Sequence, residues 1–165
     1  MVDSRGVDAA TGAAYVAVFT GSMTVGRLLG SRAIDTLGRV TALRGSFTLA
    51  LAGLLLVIFV DHPVATVAGV VLWGLGASLA YPLGMSAAAD NPVGAAARVG
   101  AVAAMASISA FIGPIVIGFI GEHFGLLTAF LVPVGLISIA MLLAGVARPP
   151  HEQISLDSES ISKKD

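Results

Sequence analysis

The chain has 165 residues, 56% hydrophobic and only 12% charged, with a mean hydropathy of +0.94 and a net charge of -1. A soluble domain carries about 25% charged residues to cover its surface, so this composition excludes an ordinary soluble globule and makes lipid the expected outer solvent. No basic run with interleaved aromatics is present, which argues against nucleic acid as a partner, and the absence of Cys removes disulfides and thiolate metal sites.

The polar start, residues 1–8, lacks the charged and apolar regions of a signal peptide. An apolar run over 9–29 follows, of the roughly 20 residues a membrane span needs. Arg27 sits near its end, where a long side chain reaches the headgroups. The stretch Gly26–Arg44 then concentrates Arg27, Arg32, Arg39 and Arg44, four of the nine Lys and Arg residues. Charge that dense between two apolar runs predicts a short cytoplasmic loop. A second span is predicted over 42–60, and Asp61-His62-Pro63 reads as a tight turn with Pro63 opening the next helix. A third span covers 64–88, and Asp90-Asn91-Pro92 marks a loop followed by Arg98. A fourth covers 99–120, broken by Gly113-Pro114; 121–125 is a short loop; a fifth span covers 126–147. The tail, 148–165, is polar and Ser-rich, with the composition of a disordered segment.

Charge orients these spans. With the Gly30–Arg44 loop inside, Arg27, Arg32, Arg39, Arg44, Arg98, Arg148, Lys163 and Lys164 fall on the cytoplasmic side and only Arg5 outside. That asymmetry predicts an all-α integral membrane protein of five spans, N-terminus outside and C-terminus in the cytoplasm. A soluble helical bundle would need polar faces that these segments lack.

Several stretches resemble the C-terminal half of a major facilitator superfamily transporter. Gly26-Arg27-Leu28-Leu29-Gly30 followed by Asp35-Thr36-Leu37-Gly38-Arg39 is similar to that family's signature loop, here between helices eight and nine. It departs from the pattern at Ser31, Thr36 and Val40, where a Gly, an Arg and a basic residue would stand. Trp73-Gly74-Leu75-Gly76 with Tyr81-Pro82-Leu83-Gly84 resembles helix ten, Gly113-Pro114 with Gly118 and Gly121 resembles helix eleven, and 121–125 resembles the outer turn before helix twelve. The combination is similar to the fucose-permease-like branch of bacterial carriers and covers about residues 9–147.

The resemblance implies an incomplete six-helix half-bundle, supplying helices eight to twelve of a carrier that works by alternating access. The chain is then expected to be a fragment, whose partners are the bilayer, the missing N-terminal half and a small solute, sugar-like or drug-like, in a bacterial cytoplasmic membrane. Gly26, Arg27, Arg32, Asp35, Gly38 and Arg39 become a gating loop. In it Asp35 would accept bonds from Arg residues or a helix N-terminus of the other half. As a plain alternative, Asp35 and Arg39 stand four apart and can pair on a helical turn. Tyr15, Phe19, Met23, Trp73, Tyr81, Ser107 and Ser109 become candidate cavity-lining residues, each with lipid contact or packing as the simpler reading. Gly113 and Pro114 are read either as a hinge or as a close-packing site.

No Asp, Glu or His falls at the centre of a predicted span, so a proton-coupling acid is not expected within this chain. Nothing assembles a nucleophile with a base, no metal-ligand cluster appears, and Gly74-x-Gly76 lacks the third Gly of a dinucleotide loop, so no cofactor is expected. A stand-alone five-helix membrane scaffold without transport activity is the rival reading. An intramembrane enzyme is the weaker third.

Overall fold

A computed structural model describes residues 9–144; the expected N-terminal and C-terminal tails lie outside the described residues. The described residues form seven helices and no strand: α1 (Ala9–Leu37), α2 (Arg39–Phe59), α3 (Pro63–Ala77), α4 (Ala80–Ala89), α5 (Ala95–Phe124), α6 (Leu126–Ala129) and α7 (Leu131–Leu143). Four stretches are long and apolar enough to cross a membrane: Arg39–Phe59, Pro63–Ala89, Ala95–Phe124 and Leu126–Leu143. Helix α1 has the length, 29 residues, but its Thr, Ser, Gly and Arg residues make it less apolar. Several of its hydroxyls are turned inward onto the helix. Thr20 donates to Val16 O at 2.9 Å, Ser22 to Val18 O at 2.7 Å and Thr24 to Thr20 O at 3.0 Å. Such back-bonding satisfies the polar groups without water.

Glycines set the inter-helix distances. A Cβ added at Gly53 of α2 would stand 2.5 Å from Gly69 O, and one at Gly76 of α3 would stand 2.5 Å from Ser46 O. Thus α2 and α3 touch backbone to backbone along Ser46, Ala50, Gly53 and Val57 on one side and Gly69, Trp73 and Gly76 on the other. The order of these contacts makes the two helices antiparallel. The contact positions recur at spacings of three and four residues, so they lie along one face of each helix, and small residues are what lets helices approach closely in lipid. On the other side of α3, Gly74 meets Phe19 and Ser22, Gly26 meets Ser78, and Gly30 meets Leu79. Here the numbers rise together, so α1 runs parallel to α3 along its flank.

The core sits towards one end of the bundle, where Leu43, Phe47, Leu79, Leu83 and Ala144 are buried together with Ile34, Ile137 and Met141 packed around them. Helix α5 buries none of its residues, and Phe111, Ile115 and Phe119 stand 60–78% exposed along it. In a bilayer such side chains meet lipid or another polypeptide.

Four expectations change. The basic stretch Gly30–Arg44 is not a loop. Helix α1 continues to Leu37 and α2 starts at Arg39, leaving Gly38 alone between them at φ 78°. Residues such as Arg, Leu and Ala favour helix wherever the environment allows, so charge marks the membrane boundary here without ending the helix; only the left-handed backbone of a Gly does that. The loop over 121–125 contracts in the same way to Gly125, at φ 88°. The fourth span is not broken at Gly113-Pro114, since α5 passes through both. The interruption lies in the third span, between Ala77 and Ala80, where Ser78 is 1% exposed and its hydroxyl donates to Leu75 O at 2.6 Å. Pro82 four residues on has no N–H to offer the Ser78 carbonyl, which accounts for a break at this point. The Asp61-His62-Pro63 turn agrees with expectation: Pro63 opens α3, and His62 caps it by accepting the Val64 N–H on Nδ1 at 3.3 Å.

Candidate functional site

Gly38 and Asp90 lie at the same end of the bundle, because α2 reverses α1 and α3 runs back alongside it. Arg39, released into α2 by the elbow at Gly38, turns away from Asp35, which stays exposed on the last turn of α1. The alternative of an Asp35–Arg39 pair is therefore not realised: Gly38 interrupts the helical turn that would bring the two side chains together. Arg39 instead meets Asp90. Its Nη2 donates to Oδ1 at 2.9 Å and its Nη1 to Oδ2, and Nη2 also donates to Ser86 Oγ at 3.0 Å. A fork-to-fork guanidinium–carboxylate pair is the strongest geometry available to these groups. The two side chains are 13% and 22% exposed, so the pair is partly sheltered from solvent. The bonded guanidinium holds the Asp90 carboxyl below its ordinary range, against a smaller opposing effect of burial.

The Asp90 turn is braced from the other side. Gly94, at φ 74°, starts α5, and Arg98 in its first turn donates from Nε to Ala88 O at 3.0 Å, from Nη1 to Val93 O at 2.9 Å and from Nη2 to Asn91 O. Asn91 Oδ1 accepts the Val93 N–H at 2.9 Å. Arg98 was legible only as a positive-inside charge. The clamp needed the turn geometry to be seen.

Of the other gating candidates, Gly26 is buried packing against Ser78, Arg27 is exposed with Nη2 3.5 Å from Met23 Sδ, and Arg32 is exposed. The Gly26-Arg27 part of the signature is thus helix surface and helix packing, and the elbow proper is Gly38-Arg39.

At mid-bundle two apolar grooves meet. One, about 540 Å³, runs between α5 and α7 and is lined by Ser109, Gly113, Pro114, Phe130 and Pro133, among others. The second, about 420 Å³, lies between α1 and α3 and is lined by Tyr15, Phe19, Val70 and Leu126. Trp73 and Phe130 belong to both. Their rings form a row: Phe19 to Trp73 with centroids 4.9 Å apart at 58°, and Trp73 to Phe130 at 5.5 Å and 67°. Tilted and edge-on arrangements of this kind are the favoured ones for aromatic pairs. The structure brings together Tyr15, Phe19, Trp73, Ser109, Gly113 and Pro114. Phe130, which joins the row, lacked any signal beyond its aromaticity. Three candidates stand elsewhere. Tyr81 is 48% exposed at the start of α4. Ser107 faces outward with its hydroxyl bonded to Ala103 O at 3.0 Å. Met23 lies on α1 beside the Arg27 guanidinium.

The Gly113 position has no atom within 4 Å of an added Cβ, so it serves no close helix packing among the described residues. Both Gly113 and Pro114 instead form a wall of the larger groove.

Comparison with known proteins agrees with this architecture. The sequence pattern of the Major Facilitator Superfamily matches residues 1–163. A protein of Yersinia pestis described as an uncharacterized MFS-type transporter is 33% identical over 127 residues, covering 76% of this chain and 33% of that relative. The match therefore spans about a third of the relative's length. No solved structure matches the chain. With a family match over nearly all its length and helices that suit a bilayer, the chain belongs to the Major Facilitator Superfamily and is a multi-pass membrane protein.

Proposed function

We propose that this chain is the part of a secondary carrier corresponding to helices eight to twelve, moving a small solute across a bacterial cytoplasmic membrane by alternating access with a complementary N-terminal half. The observation that carries this reading is the Arg39–Asp90 pair, which ties the α1–α2 elbow to the α4–α5 turn at one end of the bundle. A contact of that kind lets one end move as a block while the small-residue surfaces of α1, α2 and α3 keep the helices in register. Helix α1 is then a fifth span, despite its hydroxyls, because it lies parallel to α3 along its flank. The basic end faces the cytoplasm, Asp61 and Gly125 face outside, and Asp35 projects towards the other half as a latch. Gly113-Pro114 is a point where α5 can bend as the groove it lines changes shape. The branch resemblance supports a sugar-like or drug-like solute.

The test is solute flux into liposomes holding this chain alone and holding it with the complementary half supplied as a second polypeptide. Saturable uptake only in the paired preparation is expected. Saturable, selective uptake by the single chain would overturn the reading.

A further inference from the structure

The turn between α4 and α5 contains one acid and is gripped by two arginines that use different chemistry. Arg39 takes the Asp90 carboxylate. Arg98 takes backbone carbonyls: Ala88 two residues before Asp90, Asn91 one residue after, and Val93 three residues after. Its own N–H bonds back to Gly94 O at 3.2 Å. The last carbonyls of a helix are short of partners, and they carry the negative end of the helix dipole. A cation there answers both. Three donors reaching three separate carbonyls need the flat, wide fork of a guanidinium; an ammonium is a point charge on a flexible stem.

We propose that Arg98 is a positioning residue for Asp90. By fixing the backbone on both sides of that residue it sets the direction from which the carboxylate meets Arg39. The first turn of α5, the α4–α5 turn and the α1–α2 elbow are thereby joined through two guanidinium groups in series. The polar groups bonded into this corner include Arg39 from α2, which meets Asp90 and Ser86 of α4, Arg98 from α5, which meets the turn's backbone, and Asn91, whose side chain accepts the Val93 N–H. A displacement of the α5 N-terminus is then passed to Arg39 through the turn. That consequence rests on the gating reading given above; the positioning itself does not.

The experiment uses the purified chain in lipid nanodiscs with carboxyl-carbon-labelled Asp, the Asp90 signal being assigned by its loss in Asp90→Asn. In the native chain Asp90 titrates below the usual carboxylate range. Arg39→Gln sets the scale by removing the partner. Arg98→Gln is expected to move the Asp90 midpoint most of the way to its value in Arg39→Gln. The double variant is expected to add little to Arg39→Gln alone. Arg98→Lys keeps the charge and loses the fork, and should move the midpoint in the same direction by less. Helix content by circular dichroism shows that each variant is folded; if Arg98→Gln is not, Arg98→Lys carries the test. An unchanged Asp90 midpoint in a folded Arg98 variant would overturn the proposal. Since no solute flux is read, the result is independent of whether the chain gates transport.

Discussion

Arg39 and Asp90 stand 51 positions apart in the sequence and share two hydrogen bonds in the fold, one of them 2.9 Å long. No other ion pair between described residues links distant helices. Removing one partner leaves the other partly sheltered and charged, which costs more than the pair itself contributes. Asp90→Asn or Arg39→Gln should therefore lower the stability of the chain in lipid nanodiscs by about 1.5–3 kcal/mol, the range for hydrogen bonds to charged groups. Arg39→Lys should recover less than half of the loss, since a single ammonium cannot reproduce the fork. Thermal unfolding followed by circular dichroism measures all three. Equal stability of Asp90→Asn and the native chain would show that the contact contributes nothing.

Acid should undo the same contact. The folded Asp90 carboxyl titrates below its unfolded value because of the bonded guanidinium. A group depressed in this way contributes its stability fully above the unfolded value, about 3.9 for Asp, and loses it as pH falls through the lower folded value. The contribution is therefore constant through neutral and mildly acidic pH. It fades only under strong acid, and Asp90→Asn should lack that component of the acid response. Melting curves of both proteins over a descending pH series check this. A fading that begins near neutrality would point to a His and not to Asp90.

Much of this fold is legible from polarity alone. The apolar runs locate the helices, although the first helix runs eight residues past its run to Leu37, and Asp61-His62-Pro63 gives a true boundary because it combines a cap with a ring that suits a first helical turn. The basic stretch misleads for a physical reason. Positive charge reports where the membrane ends, whereas helix continuation depends on backbone preferences, and Gly26 and Gly30 keep helical backbone while Gly38 takes the left-handed one. The Gly113-Pro114 pair misleads in the opposite sense, since a proline costs one backbone bond and a long helix can absorb that. Pro82, less conspicuous in the sequence, coincides with the real interruption. As for the site, single residues such as Trp73 and Tyr15 can be picked out by type. The Arg39–Asp90 pair and the Arg98 clamp cannot, because both depend on a turn bringing distant positions together.

Backbone contact between α2 and α3 makes a second set of positions intolerant. At Gly76 an added Cβ would meet the Ser46 carbonyl at 2.5 Å, and at Gly53 it would meet the Gly69 carbonyl at the same distance. These are backbone atoms, so relief requires the helices to separate. Gly76→Ala and Gly53→Ala should each cost about 1–3 kcal/mol, the usual range for overpacking. Gly84→Ala, at a position with nothing within 4 Å, should be neutral or slightly stabilising through helix propensity. Unfolding in nanodiscs provides the comparison. Equal effects at Gly76 and Gly84 would rule out the close approach.

The arrangement of turns predicts sidedness. Gly38 and the Asp90–Gly94 turn share one end with the basic residues Arg39, Arg44 and Arg98, while Asp61, His62 and Gly125 share the other. Positive charge is retained on the cytoplasmic side. Single cysteines introduced at Asn91 and at Asp61 of this chain, which has no native Cys, should therefore differ in labelling by a membrane-impermeant maleimide in intact cells. Asp61→Cys should label from outside and Asn91→Cys only after permeabilisation. Labelling of Asn91→Cys in intact cells would invert the scheme.

Asp35 separates the latch from ordinary surface charge. It is exposed, and it sits in the last turn of α1. A negative charge near a helix C-terminus is unfavourable by about 0.3–1 kcal/mol. The residue therefore does nothing for the stability of its own helix, and Asp35→Asn should leave the chain as stable as before or slightly more so. If the carboxylate bonds a cation or a helix N-terminus of the complementary half, the same substitution should reduce uptake several-fold in the paired preparation while insertion and abundance stay constant. A residue that improves transport at a small cost in stability shows a pattern that a merely solvated charge does not. Uptake kinetics and melting measured side by side for Asp35→Asn and Asp90→Asn make the distinction. The first should lose transport alone, and the second should lose both transport and stability. Unaltered uptake in Asp35→Asn would return Asp35 to the solvated surface.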